Sequence, residues 1–112
     1  MGYYTNYTLK LLPGHSDGWT IYAILRQLSH DNFPSDMYYT IDEEGNHINS
    51  SMWYKHEDDM RKLSIILPDV VFKLFGYGED MGDIWHKYFK NGKMQYCKAK
   101  MVFDKFEIEK LI

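Results

Sequence analysis

Strict alternation opens the chain: over residues 3–12, Tyr3, Thr5, Tyr7, Leu9 and Leu11 fall on one side and Tyr4, Asn6, Thr8 and Lys10 on the other, the period of a half-buried strand. Pro13-Gly14 stops it, and Ser16 or Asp17 can cap a helix in which Ile21, Ile24, Leu25 and Leu28 recur at i, i+3, i+4 and i+7. A breaker cluster around Pro34 separates this helix from residues 37–41, which read as a short strand closed by a turn at Glu43-Glu44-Gly45-Asn46. Ser50 and Ser51 are candidate caps of a second helix. Its periodic part is His56, Met60, Leu63 and Leu67, with Glu57, Asp58 and Asp59 early, where the helix dipole favours acids, and Pro68 at its end.

The rest of the chain reads as strands. Residues 70–77 form one, and residues 83–90 and 93–103 form a hairpin, because Asn91-Gly92 suits the two positive-φ positions of a type I′ turn. A two-residue turn pairs Lys90 with Lys93 and Phe89 with Met94. Trp85, Lys87 and Phe89 therefore share a face with Met94, Tyr96, Lys98 and Lys100, and Ile84, Tyr88, Cys97, Ala99 and Met101 take the other. The second set is small and apolar, so it is the expected core. The first set is then expected on an open sheet face. Residues 104–112 form a tail whose Phe106, Ile108, Leu111 and Ile112 can pack as a last short element. The order of elements predicts one α+β domain over residues 1–112: an antiparallel-rich sheet with two helices on one face, ferredoxin-like with extra C-terminal strands.

Composition adds one outlier. Ten Tyr, six Phe and three Trp make 17% of the residues aromatic, and many of the tyrosines lie in strand-like segments near the expected surface. The formal net charge of −3 argues against a general nucleic-acid binder with a basic surface. Cys97 stands alone and is expected as a small buried apolar residue. No apolar run resembles a leader or a membrane span, so the expectation is a soluble, cytoplasmic protein with no membrane partner.

Candidate chemistry is thin. The histidines His15, His30, His47, His56 and His86 show no ligand spacing and have no Cys neighbour, so neither a metal nor another cofactor is expected. Glu79, Asp80 and Asp83 cluster around Gly82 and, with His86, offer a minor enzymatic alternative. The glycines Gly76, Gly78 and Gly82 favour a structural loop with positive-φ turns and a bulge. An acidic G-x-G-x-x-x-G run would repel phosphate. The aromatic and lysine face is more suggestive. Trp85, Phe89, Tyr96, Lys87, Lys98 and Lys100 can make a protein hot spot with a polar rim, or can stack bases and hold phosphates. The plain alternative is a solvated face on which lysine stems cover aromatic rings.

The segment Trp53-Tyr54-Lys55-His56-Glu57-Asp58-Asp59-Met60, then Pro68-Asp69-Val70, then the stretch from Gly76 to Lys93 resemble a group of small phage and bacterial proteins. That group carries W-Y-x-H-E-x-D-M, P-D-V and G-x-G-E-x-x-G-D-x-W-x-x-Y-x-x-x-G-K. The likeness implies origin and brings no catalytic residue. By analogy with small phage proteins that block a host macromolecule, the expected function is a non-enzymatic binding protein of phage or mobile-element origin. It would act on a host protein through the sheet face and the adjoining Tyr77, Glu79 and Asp80, as an anti-CRISPR-like inhibitor of a host defence nuclease system does. The alternative is a module that binds single-stranded nucleic acid through the same face.

Overall fold

The structure is a computed structural model that describes residues 2–112. Strand β1 (Thr5–Leu11) is followed by helix α1 (Ile21–His30), a 3-10 turn (Asp36–Tyr39), helix α2 (His56–Ile66), strands β2 (Phe72–Gly78), β3 (Ile84–Lys90) and β4 (Lys93–Lys98), and a second 3-10 turn (Ile108–Lys110). The strands form one antiparallel sheet in the order β1-β2-β3-β4. The α+β class follows from this arrangement, with α2 packed across β3 and β4 and α1 against β1.

Local chemistry explains where the elements begin. Thr20 caps α1, its hydroxyl accepting from the Ala23 N–H at 3.1 Å, so the helix starts later than Ser16 or Asp17 would set it. Ser50 and Ser51 cap nothing. Ser51 instead bridges to Thr5, with backbone hydrogen bonds of 2.9 and 3.0 Å that cover part of the outer edge of β1. α2 has no side-chain cap, and Glu57, Asp58 and Asp59 in its first turn supply the dipole complement alone.

Residues 37–41 do not form a strand. Ser35 accepts from the Met37 N–H at 3.1 Å and the Thr40 hydroxyl donates to the Asp36 carbonyl at 2.8 Å, which closes a 3-10 turn. The buried residues there are Met37, Thr40 and Ile41, a helical spacing that strand alternation cannot supply. The ferredoxin-like likeness depended on a strand between the helices. Without it, the sheet keeps its strands in sequence order.

The core lies between the helices and one face of the sheet. Across the strands, Leu11, Phe72 and Phe89 form one row, Leu9, Leu74 and Lys87 the next, and Tyr7, Gly76 and Trp85 a third. Trp53, Met60, Leu63, Ile24 and Leu28 close over them. The hairpin is as the sequence indicates, with φ 47° at Asn91, 79° at Gly92 and Phe89 opposite Met94. The face assignment is reversed. Trp85 and Phe89 are buried on the helix side, while Ile84 and Tyr88 point away from it and Cys97 is half-buried there. Ranking the two sets by small size misjudged the energetics, because a buried aromatic ring removes a large apolar area from water and Trp85 and Phe89 both lie in the set that turns inward.

Met60 and Leu63 are fully buried against the sheet. Met60→Ala or Leu63→Ala is expected to cost about 2–5 kcal/mol each. A denaturant midpoint that does not move in either variant would show that α2 does not carry the core.

Candidate functional site

The helix side of the sheet holds a polar network built from the Trp53–Met60 run and β3. Lys87 is almost fully buried. Its Nζ donates to Glu57 Oε2 at 2.6 Å and to His56 Nε2 at 2.7 Å, and it lies 4.1 Å above the Trp85 ring. His56 Nδ1 is 2.9 Å from the Trp53 carbonyl, which can only accept. The proton therefore sits on Nδ1 and Nε2 is left to accept from Lys87. Burial, and then the Lys87 charge, push the His56 pKa below its ordinary value of 6.5, so the ring is neutral. The hydrogen bond from Lys87 holds the Glu57 carboxyl below its usual range. Trp85 stacks on His56 with centroids 5.2 Å apart and planes at 14°. Asp59 closes the network, accepting from Trp53 Nε1 and the Ser35 hydroxyl at 2.7 Å each.

This explains the spacing of the W-Y-x-H-E-x-D-M run as architecture. A Lys, His and Glu together could move protons. Here no buried side-chain polar atom among the described residues lacks a partner, and a cleft lined by Ser35, Asp58 and Asp59, without Lys87, His56 or Glu57, meets the network at its Asp59 end.

The glycine-rich segment is likewise structural. Gly82 alone of Gly76, Gly78 and Gly82 has a positive φ, 85°. Gly76 is in the strand, and a Cβ there would lie 2.1 Å from the Trp85 ring. A Cβ at Gly78 would meet the Asp83 carboxylate at 2.0 Å. That carboxylate accepts from the Tyr3 hydroxyl at 2.5 Å, and Glu79 accepts from the Tyr4 N–H at 2.6 Å. The acids thus hold residues 3 and 4 beside the β2–β3 connection. Among the described residues no group of three His, Cys, Asp or Glu is placed to hold a metal ion.

The face of the sheet away from the helices is open. Alternation and register place Lys10, Lys73, Tyr88 and Gln95 in one row, Thr8, Phe75, His86 and Cys97 in the next, and Asn6, Tyr77 and Ile84 in a third. Phe75 and His86 lie 5.1 Å apart, and Lys73 Nζ is 5.9 Å from the Tyr88 ring centre. Partial burial, and then Lys73, lower the His86 pKa. Lys90 and Lys93 extend the face at the hairpin turn. Of the six strand lysines, Lys10, Lys73, Lys90 and Lys93 lie on this face, Lys87 and Lys98 lie on the helix side, and no strand carries Asp or Glu, so this face is basic although the chain is acidic.

Of the residues expected at the site, Trp85, Lys87 and Phe89 are buried, and they are corrected to core and network positions. Tyr96 and Lys98 are exposed at the uncovered edge strand, on the helix side, and Lys100 is exposed beyond it. Glu79 and Asp80 belong to the structural connection, and the Asp80 N–H donates to Tyr3 at 3.0 Å. Tyr77 alone stands on the open face, half-exposed. Sequence reasoning missed Lys10, Lys73, Phe75, His86 and Tyr88. The signal that could have found them is the lack of any carboxylate in all four strands.

Gly76→Ala is expected to destabilise by about 1–3 kcal/mol, the cost of overpacking, and by much less in a Trp85→Ala background. A double-mutant cycle with no coupling would separate the glycine from the ring.

Stability should also depend on pH with a defined sign. His56 is held neutral, so its contribution is complete above 6.5 and is lost as pH falls through 6.5 toward the lowered native value, where the unfolded chain binds the extra proton. Glu57 acts in a lower window: its contribution is complete above its ordinary 4.5 and fades as pH falls below that. His86, also lowered, adds a slope of the same sign as His56. Melting temperatures measured between neutral pH and pH 5 should fall less steeply for His56→Gln than for the parent; equal slopes would refute the assignment.

Comparison of the chain with protein-family models, with curated proteins and with solved structures yields no match.

Proposed function

We propose that the chain is a non-enzymatic binding protein that holds single-stranded nucleic acid on the open face of its sheet. The observation that carries this reading is the segregation of charge: no strand carboxylate, and four lysines of the open face, Lys10, Lys73, Lys90 and Lys93, around Phe75, Tyr77, His86 and Tyr88. Every base offers a π-face to such rings and every phosphate a partner to the ammonium groups, so recognition needs no base-specific contact. The net charge of −3 does not oppose it, since the acids lie outside the strands and fields from exposed charges fade over about 8 Å at physiological salt.

A second reading keeps the phage or mobile-element origin and gives the chain a host protein as its target, as an anti-CRISPR-like inhibitor would have. Its support is the sequence likeness together with exposed Tyr96, Met81 and Tyr54, large side chains of the kind that anchor protein contacts. Either function would be exercised in the cytoplasm of a host cell. No helix in the described structure is long and apolar enough to cross a membrane.

The readings separate by salt. Affinity for a labelled single-stranded oligonucleotide, read by fluorescence anisotropy, should fall steeply as salt rises. Replacing Lys10 and Lys73 together by Ala should reduce the log–log slope by about 1.4, from roughly 0.7 per phosphate contact. Phe75→Ala or Tyr88→Ala should each cost about 1–3 kcal/mol of binding. No binding to the oligonucleotide at low salt, or binding that the lysine pair does not affect, would refute the nucleic-acid reading.

A further inference from the structure

We propose that residues 101–112 form an arm that packs on a second copy of this chain, making a dimer by reciprocal exchange. The arm lies outside the open face, shares with it only Lys90 and Lys93 at the hairpin turn, and the proposal stands whether or not that face binds nucleic acid.

The arm leaves the sheet after the Ala99 N–H donates to the Ile84 carbonyl at 2.9 Å. It has its own local order, a 3-10 turn closed by Lys110 N–H to the Glu107 carbonyl at 3.0 Å, with a Lys110–Glu107 ion pair at 2.6 Å. Yet Met101, Val102, Phe103, Phe106, Ile108 and Leu111 are each between 65% and 86% exposed. The shape reports the same departure. The radius of gyration is 16.7 Å with a longest extent of 60 Å, where a compact domain of this length has about 13 Å. Scattered apolar residues on a surface need no partner, but these six fall within one segment of eleven residues.

The area identifies a second copy as the occupant. In a reciprocal exchange about a two-fold axis each arm is buried once and buries the surface that receives it, so the apolar area of one arm counts twice toward the ~1,600 Å² of a stable interface. The topology supplies the receiving surface. The outer edge of β4 has no strand partner, whereas that of β1 is partly bridged by Gly45 and Ser51. If two β4 edges lie antiparallel, the chain leaving Lys98 of one copy runs past the Asn91-Gly92 turn of the other. Exposed Ile65 and Ile66 lie there, and beyond them opens an apolar groove of about 290 Å³ lined by Trp19, Leu28, Phe33 and Leu67. Charge fits the path, since Asp104, Glu107 and Glu109 outnumber Lys105 and Lys110 on the arm, and Lys90, Lys93 and Arg61 flank the turn.

The test is the mass in solution of the full chain, by light scattering coupled to size exclusion, against two variants: the double replacement Phe103→Asp with Phe106→Asp, and a chain shortened after Lys100. The full chain should run at twice 13.4 kDa, and both variants at the single-copy mass with unchanged circular dichroism. A full chain at the single-copy mass at the highest concentration reached would overturn the proposal and leave the arm to a different protein. Variants that stay double would place the interface elsewhere, and variants that lose their circular dichroism would show that the arm packs on its own body; both outcomes also overturn it. Oligonucleotide binding is read separately, so loss of the dimer and loss of nucleic-acid binding are distinct results.

Discussion

The indole of Trp85 organises this fold. It lies over Gly76 on one side, where no Cβ would fit, stacks on His56 on another, and supports the Lys87 ammonium 4.1 Å from its ring. Each contact fixes something else. The ring over Gly76 sets which face of β3 turns inward, and with it the register of the whole sheet. The stacking on His56 seats the first turn of α2. Lys87 could not be buried without Glu57 and His56, because an ammonium group removed from water needs both a counter-charge and acceptors for its hydrogens. Removing Glu57 would leave a buried charge unmatched, and removing His56 would leave one ammonium hydrogen without its acceptor, so the helix and the sheet are joined by a contact that tolerates little change.

That network also shows what could be read from the amino-acid order and what could not. The two helices, the hairpin and its Phe89–Met94 pairing were legible, because they rest on local signals: 3.6-residue periodicity, Pro68 as a stop, and Asn91-Gly92 as a turn. The facing of β3 was not. Alternation separates Trp85, Lys87 and Phe89 from Ile84, His86 and Tyr88 but does not say which set turns inward. A lysine in the first set argues for solvent unless its partners are known. Those partners, His56 and Glu57, lie 31 and 30 residues earlier. The strand expected at residues 37–41 failed for a local reason, since Ser35 and Thr40 hydrogen-bond to nearby backbone and offer the chain a turn in place of a ladder.

Reversal of the sheet moved the candidate site without changing its character. A lysine and aromatic surface was anticipated from Trp85, Lys87 and Phe89, and one exists on the opposite side, made from Lys10, Lys73, Phe75, His86 and Tyr88. The inward lysine serves folding, held by its ion pair. The outward lysines have no carboxylate beside them on the same face, and like charges set across neighbouring strands repel one another. Lys10 opposite Lys73 is such a pair, and it adds nothing to stability by itself. Under the proposed function, the phosphates of a bound strand would offset that cost.

Net charge averages over a distribution that is uneven in space. Sixteen acids and thirteen bases average to −3, but the acids concentrate in α2, in the connections and on the arm, while the strands hold lysines alone. A ligand on the open face meets the local field, because exposed charges more than a Debye length away are screened. The glycine-rich connection bears this out from the other side. Its acids, which would repel phosphate if they lay along the face, are turned toward Tyr3 and Tyr4 and complete the backbone there. The same carboxylates that made the segment look hostile to an anion hold the beginning of the chain against the end of the sheet, and the basic surface is left uninterrupted.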